Sequence, residues 1–133
     1  MMLQLTKEQI HLLRKEARKS QPIEACAILF GKIIKGKAVV TRIITAPNIL
    51  KSTVRFEIDP KIVYAAFEQA DREGLEFIGL FHSHPAPPSP SAIDLKYMRL
   101  WGDAVWLILS SIDGSVSAFQ MVDSEIREIP IKT

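Results

Sequence analysis

Phe77-Ile-Gly-Leu-Phe-His82-Ser-His84-Pro-Ala-Pro-Pro-Ser-Pro-Ser91-Ala-Ile-Asp94 is the stretch around which the rest of the chain is organised. Phe77 to Phe81 has the length and bounds of a buried strand. If that strand extends to His84, side chains two apart share a face, so His82 and His84 point one way and Ser83 the other. A proline-rich loop follows, and Ser91 opens a helix. Two imidazoles on one face, plus a carboxylate returned by the turn, make a three-ligand N/N/O site. One coordination position stays open, which distinguishes catalytic from structural zinc.

Outward from this stretch, composition narrows the classes. The 133 residues fit one domain, 1–133, and at 47% hydrophobic and 24% charged the chain can bury a real core. A formal net charge of +2 is too small to argue for nucleic acid, and Arg14, Lys15, Arg18 and Lys19 read as a solvated helix face. The single cysteine, Cys26, rules out an intrachain disulfide framework and a cysteine-rich zinc site. No stretch is apolar enough to span a bilayer and no signal-peptide pattern is visible, so neither membrane nor export is expected and cytoplasmic residence is the default.

Upstream, Thr6 with Gln9 forms a capping box for a helix from Lys7 to about Lys19, with Ile10, Leu13 and Ala17 on one side. Ala25 to Phe30 reads as a strand buried on both faces, which Gly31 ends or bulges. Lys35-Gly36-Lys37 turns into a strand over 38–44, and 46–53 is a loop. Arg55 to Ile58 reads as a short extended piece. Asp59-Pro60 opens a second helix that ends near Gly74. Downstream, a helix from Ser91 to about Trp101 precedes a buried strand over 104–109. Asp113-Gly114 marks a hairpin, and 115–122 and 125–131 are the last two strands. Mixed strands, hairpins and helices place the chain in the α/β class, as a mixed β-sheet flanked by helices.

Each chemical residue has a plainer reading. The histidine pair could simply end a strand, yet it holds two of only three histidines, and His11 falls on a charged helix face. Ser91 and Asp94 match a helix capping box, where an acidic side chain also suits the helix dipole. Capping and ligation are compatible, because a cap holds both side chains rigidly. Glu24, just before a strand, reads from the residues alone as a surface carboxylate. Its functional reading is a general base beside a metal site. Cys26, inside an apolar run, reads as core. The helical His-Glu-x-x-His motif, the deaminase cysteine pair, Gly-x-Ser-x-Gly and the phosphate-binding glycine loops are all absent.

The upstream glutamate, His82-Ser-His84-Pro and Pro-Ser91-x-x-Asp94 together resemble the JAMM (MPN+) metalloproteases. Glu24-Ala-Cys-Ala-Ile-Leu-Phe-Gly31 resembles that family's glutamate-bearing strand, and Asn48 with Arg55 to Pro60 resembles the segment before its second helix. The resemblance implies a cytidine-deaminase-like α/β sandwich. It implies that His82, His84 and Asp94 bind one zinc, with Glu24 as general base and acid and Ser91 stabilising the oxyanion. The loop between His84 and Ser91 is one residue shorter than the family's common seven.

The chemistry implied is hydrolysis of the bond after the C-terminal tail of a ubiquitin-like modifier. The loop 47–53 is the expected substrate flap, with Asn48 and Ser52 as substrate-binding residues. A rival enzyme reading trims a sulfur-carrier protein in cysteine or cofactor biosynthesis. A rival of another class is a metal-free scaffold of the MPN type, which this chain's retained ligand set disfavours. Met98 and Trp101 could line a homodimer or pack in the core, and core is the expectation.

Overall fold

In the computed structural model, which describes residues 1–133, eight strands form one mixed sheet with three helices packed on it. The elements are β1 (Met2–Gln4), α1 (Lys7–Ser20), β2 (Cys26–Ile34), β3 (Lys37–Ala46), α2 (Pro60–Arg72), β4 (Glu76–His84), α3 (Ala92–Leu100), β5 (Val105–Ser110), β6 (Val116–Val122), β7 (Glu125–Ile129) and β8 (Ile131–Lys132). The strand order is β7-β6-β5-β4-β2-β3-β1-β8.

The strands alternate between two cores because side chains point to opposite faces. From β5, Val105, Leu107 and Leu109 join α1's Ile10, Leu13 and Ala17 on one face. Trp106 and Ile108 join Ala66 and Ala70 of α2 and Met98 of α3 on the other. Met98 is therefore core, as expected, whereas Trp101 is 37% exposed. Thr6 and Gln9 form the expected capping box, and Asp59 caps α2 with Pro60 in its first turn.

Of the two readings of Gly31, the bulge holds, and the glycine does not end its strand. The register shifts between Phe30 and Gly31 and pairing continues to Ile34, because a Cβ on Gly31 would lie 1.9 Å from the Val39 carbonyl oxygen. Arg55 to Ile58, the short piece before α2, joins no ladder. Its backbone bonds within the loop, Glu57 N–H donating to Asn48 Oδ1 and Ile49 N–H to the Glu57 carbonyl. One expectation changes: the strand expected over 125–131 is two strands. Pro130 has no N–H to give a ladder, and β7 and β8, joined by that residue alone, sit at opposite ends of the strand order. The sheet therefore curls until its edges meet, and β8 pairs parallel with β1.

The parallel pair β4–β5, connected through α3, places the site. Ligands on such sheets gather beyond the carboxyl ends of parallel strands, and β4 ends at His84. The two strands run close enough that a Cβ on Gly79 would fall 1.7 Å from the Val105 carbonyl oxygen. That crowding explains the glycine in an otherwise bulky run.

Candidate metal centre

His82 and His84 occupy two of the last three positions of β4, on one face, and both are buried, at 0% and 7% exposure. Ser83 points the other way, and its hydroxyl accepts a hydrogen bond from Ala25 N–H at 3.0 Å. With the return bond from Ser83 N–H to the Ala25 carbonyl, this ties the end of β4 to the residue after Glu24.

The third member arrives through the start of α3. Ser91 Oγ accepts from Asp94 N–H at 3.0 Å, and Asp94 Oδ2 accepts from Ser91 N–H at 2.9 Å. This capping box turns the Asp94 carboxylate toward β4, so capping and site assembly are one arrangement. Asp94 Oδ2 lies 3.1 Å from His82 Nε2 and 4.0 Å from His84 Nε2. One ligand atom from each of His82, His84 and Asp94 falls within 4.8 Å of the others. The proline loop is folded under this cluster, with the Ser89 carbonyl 3.2 Å from His84 Nε2. The short loop thus still delivers Ser91 and Asp94 to the histidines.

The electrostatics favour a cation. Asp94 is 2% exposed, and the only basic side chains within 4.0 Å of its carboxylate are the two histidines. A buried carboxylate is costly unless a positive charge meets it. Burial pushes the Asp94 carboxyl upward, but the His82 hydrogen bond and charge and the Ser91 bonds outweigh it, and the net direction is down. Burial, then the neighbouring His82, hold His84 below the usual imidazole value, which keeps it neutral as a ligand must be. Nδ1 of both histidines is buried with no protein partner. Two imidazoles and one carboxylate match the donor set of an open, three-ligand zinc site.

Glu24 is nearly buried, at 2% exposure, and its Oε1 has no partner. It lines the same groove as His84 and Ser91, of about 520 Å³, whose other walls are Thr53–Val54 and the proline loop. Burial, only partly offset by His82 and reinforced by Asp94, pushes its pKa up to about 7. Its backbone is fixed from both sides: Glu24 N–H donates to the Ser52 carbonyl, and Asn48 Nδ2 donates to the Glu24 carbonyl at 3.1 Å. The Asn48 amide also bonds the Arg55 carbonyl and the N–H groups of Leu50 and Glu57. Its side chain therefore ties the loop 47–57 to Glu24. Ser52 is half-buried, and its hydroxyl accepts from Val54 N–H.

The raised Glu24 pKa carries a stability consequence in the metal-free protein. A carboxyl whose folded pKa exceeds its unfolded value is stabilising while protonated, and that contribution is lost as pH rises from about 4.5 through about 7. Glu24→Gln removes the penalty. Metal-free Glu24→Gln is expected to exceed the parent in stability by about 1–2 kcal/mol at pH 8 and to match it at pH 4. Denaturant unfolding of both proteins at the two pH values checks this.

Comparison with known proteins agrees with this geometry. A family model described as prokaryotic homologs of the JAB domain matches residues 6–123. A protein from Pyrococcus furiosus named desampylase is 44% identical over 84% of this chain and 77% of its own length. A Thermus thermophilus protein named "Probable TtuB-protein conjugate cleaving protease" is 30% identical over 91% of this chain and 74% of its own. Among solved structures, one from Desulfitobacterium hafniense superposes with a TM-score of 0.84 at 30% identity, covering 98% of this chain and 91% of that one.

Proposed function

The chain belongs to the prokaryotic JAB-domain family, within the JAMM/MPN+ group, and it is an isopeptidase acting on ubiquitin-like modifier linkages; we propose that it works with one zinc ion held by His82, His84 and Asp94. The observation that supports this most is the buried His82–His84–Asp94 cluster, with no lysine or arginine within 4.0 Å of the Asp94 carboxylate. Zinc in that position supplies Lewis acidity toward the scissile carbonyl and lowers the pKa of water from 15.7 to about 7.

The chain's own residues do the rest. Glu24, unpartnered at Oε1 and facing the groove, takes a proton from the attacking water and returns it to the leaving amine. Ser91 uses its oxygen as an acceptor for Asp94 N–H, which leaves its hydroxyl proton to donate to the developing oxyanion. Asn48 holds the flap and the Glu24 backbone in register, and Ser52 continues that support, so both serve substrate binding by shaping the groove. A narrow, extended tail suits a groove whose walls are Thr53–Val54 and the proline loop.

The partner is a ubiquitin-like protein joined to lysine through its C-terminal tail. No helix is long and apolar enough to cross a membrane; a cytoplasmic site of action is part of the proposal. The test is to incubate the protein with such a conjugate, with and without a chelator. Release of the intact modifier, abolished by chelation and restored by zinc, is expected. Inertness toward the conjugate, with removal of a C-terminal residue from a sulfur-carrier protein, would overturn it in favour of the trimming peptidase.

A further inference from the structure

A metal-ligating histidine usually has its second ring nitrogen bonded to a carboxylate, carbonyl or water, which fixes the ring's orientation. His82 departs from this. Its Nε2 faces Asp94, and its Nδ1, fully buried, has no partner in the protein. Aromatic side chains hold the ring instead. Phe56 stacks on it with centroids 5.0 Å apart and planes at 22°. Trp106 meets it edge-on at 6.0 Å and 80°, and Phe56 and Trp106 touch each other at 6.1 Å.

We propose that Phe56, backed by Trp106, is a positioning residue that clamps His82 for metal binding in place of the missing hydrogen bond. This rests on the reading of His82 as a ligand. An imidazole that shares its lone pair with a cation becomes electron-poor, and the face of a benzene ring is electron-rich. The stack is therefore stronger when metal is bound than when it is not, and that difference appears as metal affinity. Phe56 comes from the irregular segment between the flap and α2, Trp106 from β5 and His82 from β4, so the clamp also links that segment to ligand geometry. Ile28, Val63, Leu80 and Trp101 join Phe56 and Trp106 around an apolar cavity of about 210 Å³ that His82 does not line. That space leaves room for a different side chain at position 56 without overpacking.

The experiment measures zinc affinity of metal-depleted proteins by competition with a chromophoric chelator. Phe56→Leu keeps apolar bulk and removes the ring, and Phe56→Met is a second ring-free variant should the first not fold. Phe56→Tyr restores an aromatic face. Phe67→Leu is the packing control, since Phe67 meets Phe30 and Phe77 in the same core and not His82. Phe56→Leu is expected to weaken zinc binding about 10–100-fold. Phe56→Tyr should bind close to the parent, and Phe67→Leu should bind like the parent although its unfolding temperature falls. Parent-like affinity in folded Phe56→Leu, or an equal loss in Phe67→Leu, would overturn the clamp. If the parent itself binds no zinc, the metal reading falls first, and the two failures are told apart.

Discussion

Glu24→Gln will lower kcat by about 10²–10⁴-fold while leaving bound zinc and KM nearly unchanged, the range a positioned acid–base group supplies. Glu24 lies outside the ligand cluster, so the substitution removes no metal donor. Its Oε1 is buried, unpartnered and set in the groove that His84 and Ser91 also line. In the metal-free protein burial raises its pKa to about 7, and a carboxyl beside the attacking water is placed to accept a proton and return it. Glutamine has the same shape and the same backbone anchors to Ser52 and Asn48, so the loss reads proton transfer and not folding. Steady-state kinetics with metal analysis of the same sample decides it. A fall in metal content equal to the fall in kcat would make Glu24 a ligand or a structural residue.

Asp94→Ala will remove metal and activity together. The substitution deletes one of three donors and leaves His82 Nε2 facing an empty position. It also deletes half of the α3 capping box, worth about 0.5–2 kcal/mol of stability. Asp94→Asn separates the two effects. Its side-chain oxygen still accepts from Ser91 N–H, but the charge that binds a cation is gone. Asp94→Asn is expected to fold like the parent and to lose zinc affinity at least about 100-fold, more than an outer-shell partner would cost. Zinc retained in Asp94→Asn would show that charge at this position is not what holds the metal.

The sequence carried the centre of the site because its geometry is local. His82 and His84 are two apart on one strand, and Ser91 and Asp94 are three apart at a helix start. Those spacings fix which side chains share a face before any tertiary contact forms. Glu24 is different. Its burial depends on Ser52 and Asn48 closing over it from a loop more than twenty residues away, and only the family resemblance pointed to it. Asn48 reads in sequence as a substrate contact, yet its amide is spent on Glu24, Leu50, Arg55 and Glu57. Phe56 gave no periodic signal because it stands in a loop without regular structure. β1 and β8, at three and two residues, are too short for alternation to show, and their pairing depends on the sheet closing on itself.

One zinc held by His82, His84 and Asp94 is the proposed basis of this chain's isopeptidase activity. Its most direct test is to strip the protein of metal and titrate zinc back while following cleavage of a ubiquitin-like conjugate, with His84→Ala in parallel. Activity should rise linearly, break at one equivalent of zinc per chain and stay absent in His84→Ala. Full activity in the stripped protein, or zinc binding with no effect on cleavage and none on substituting His84, would contradict the claim.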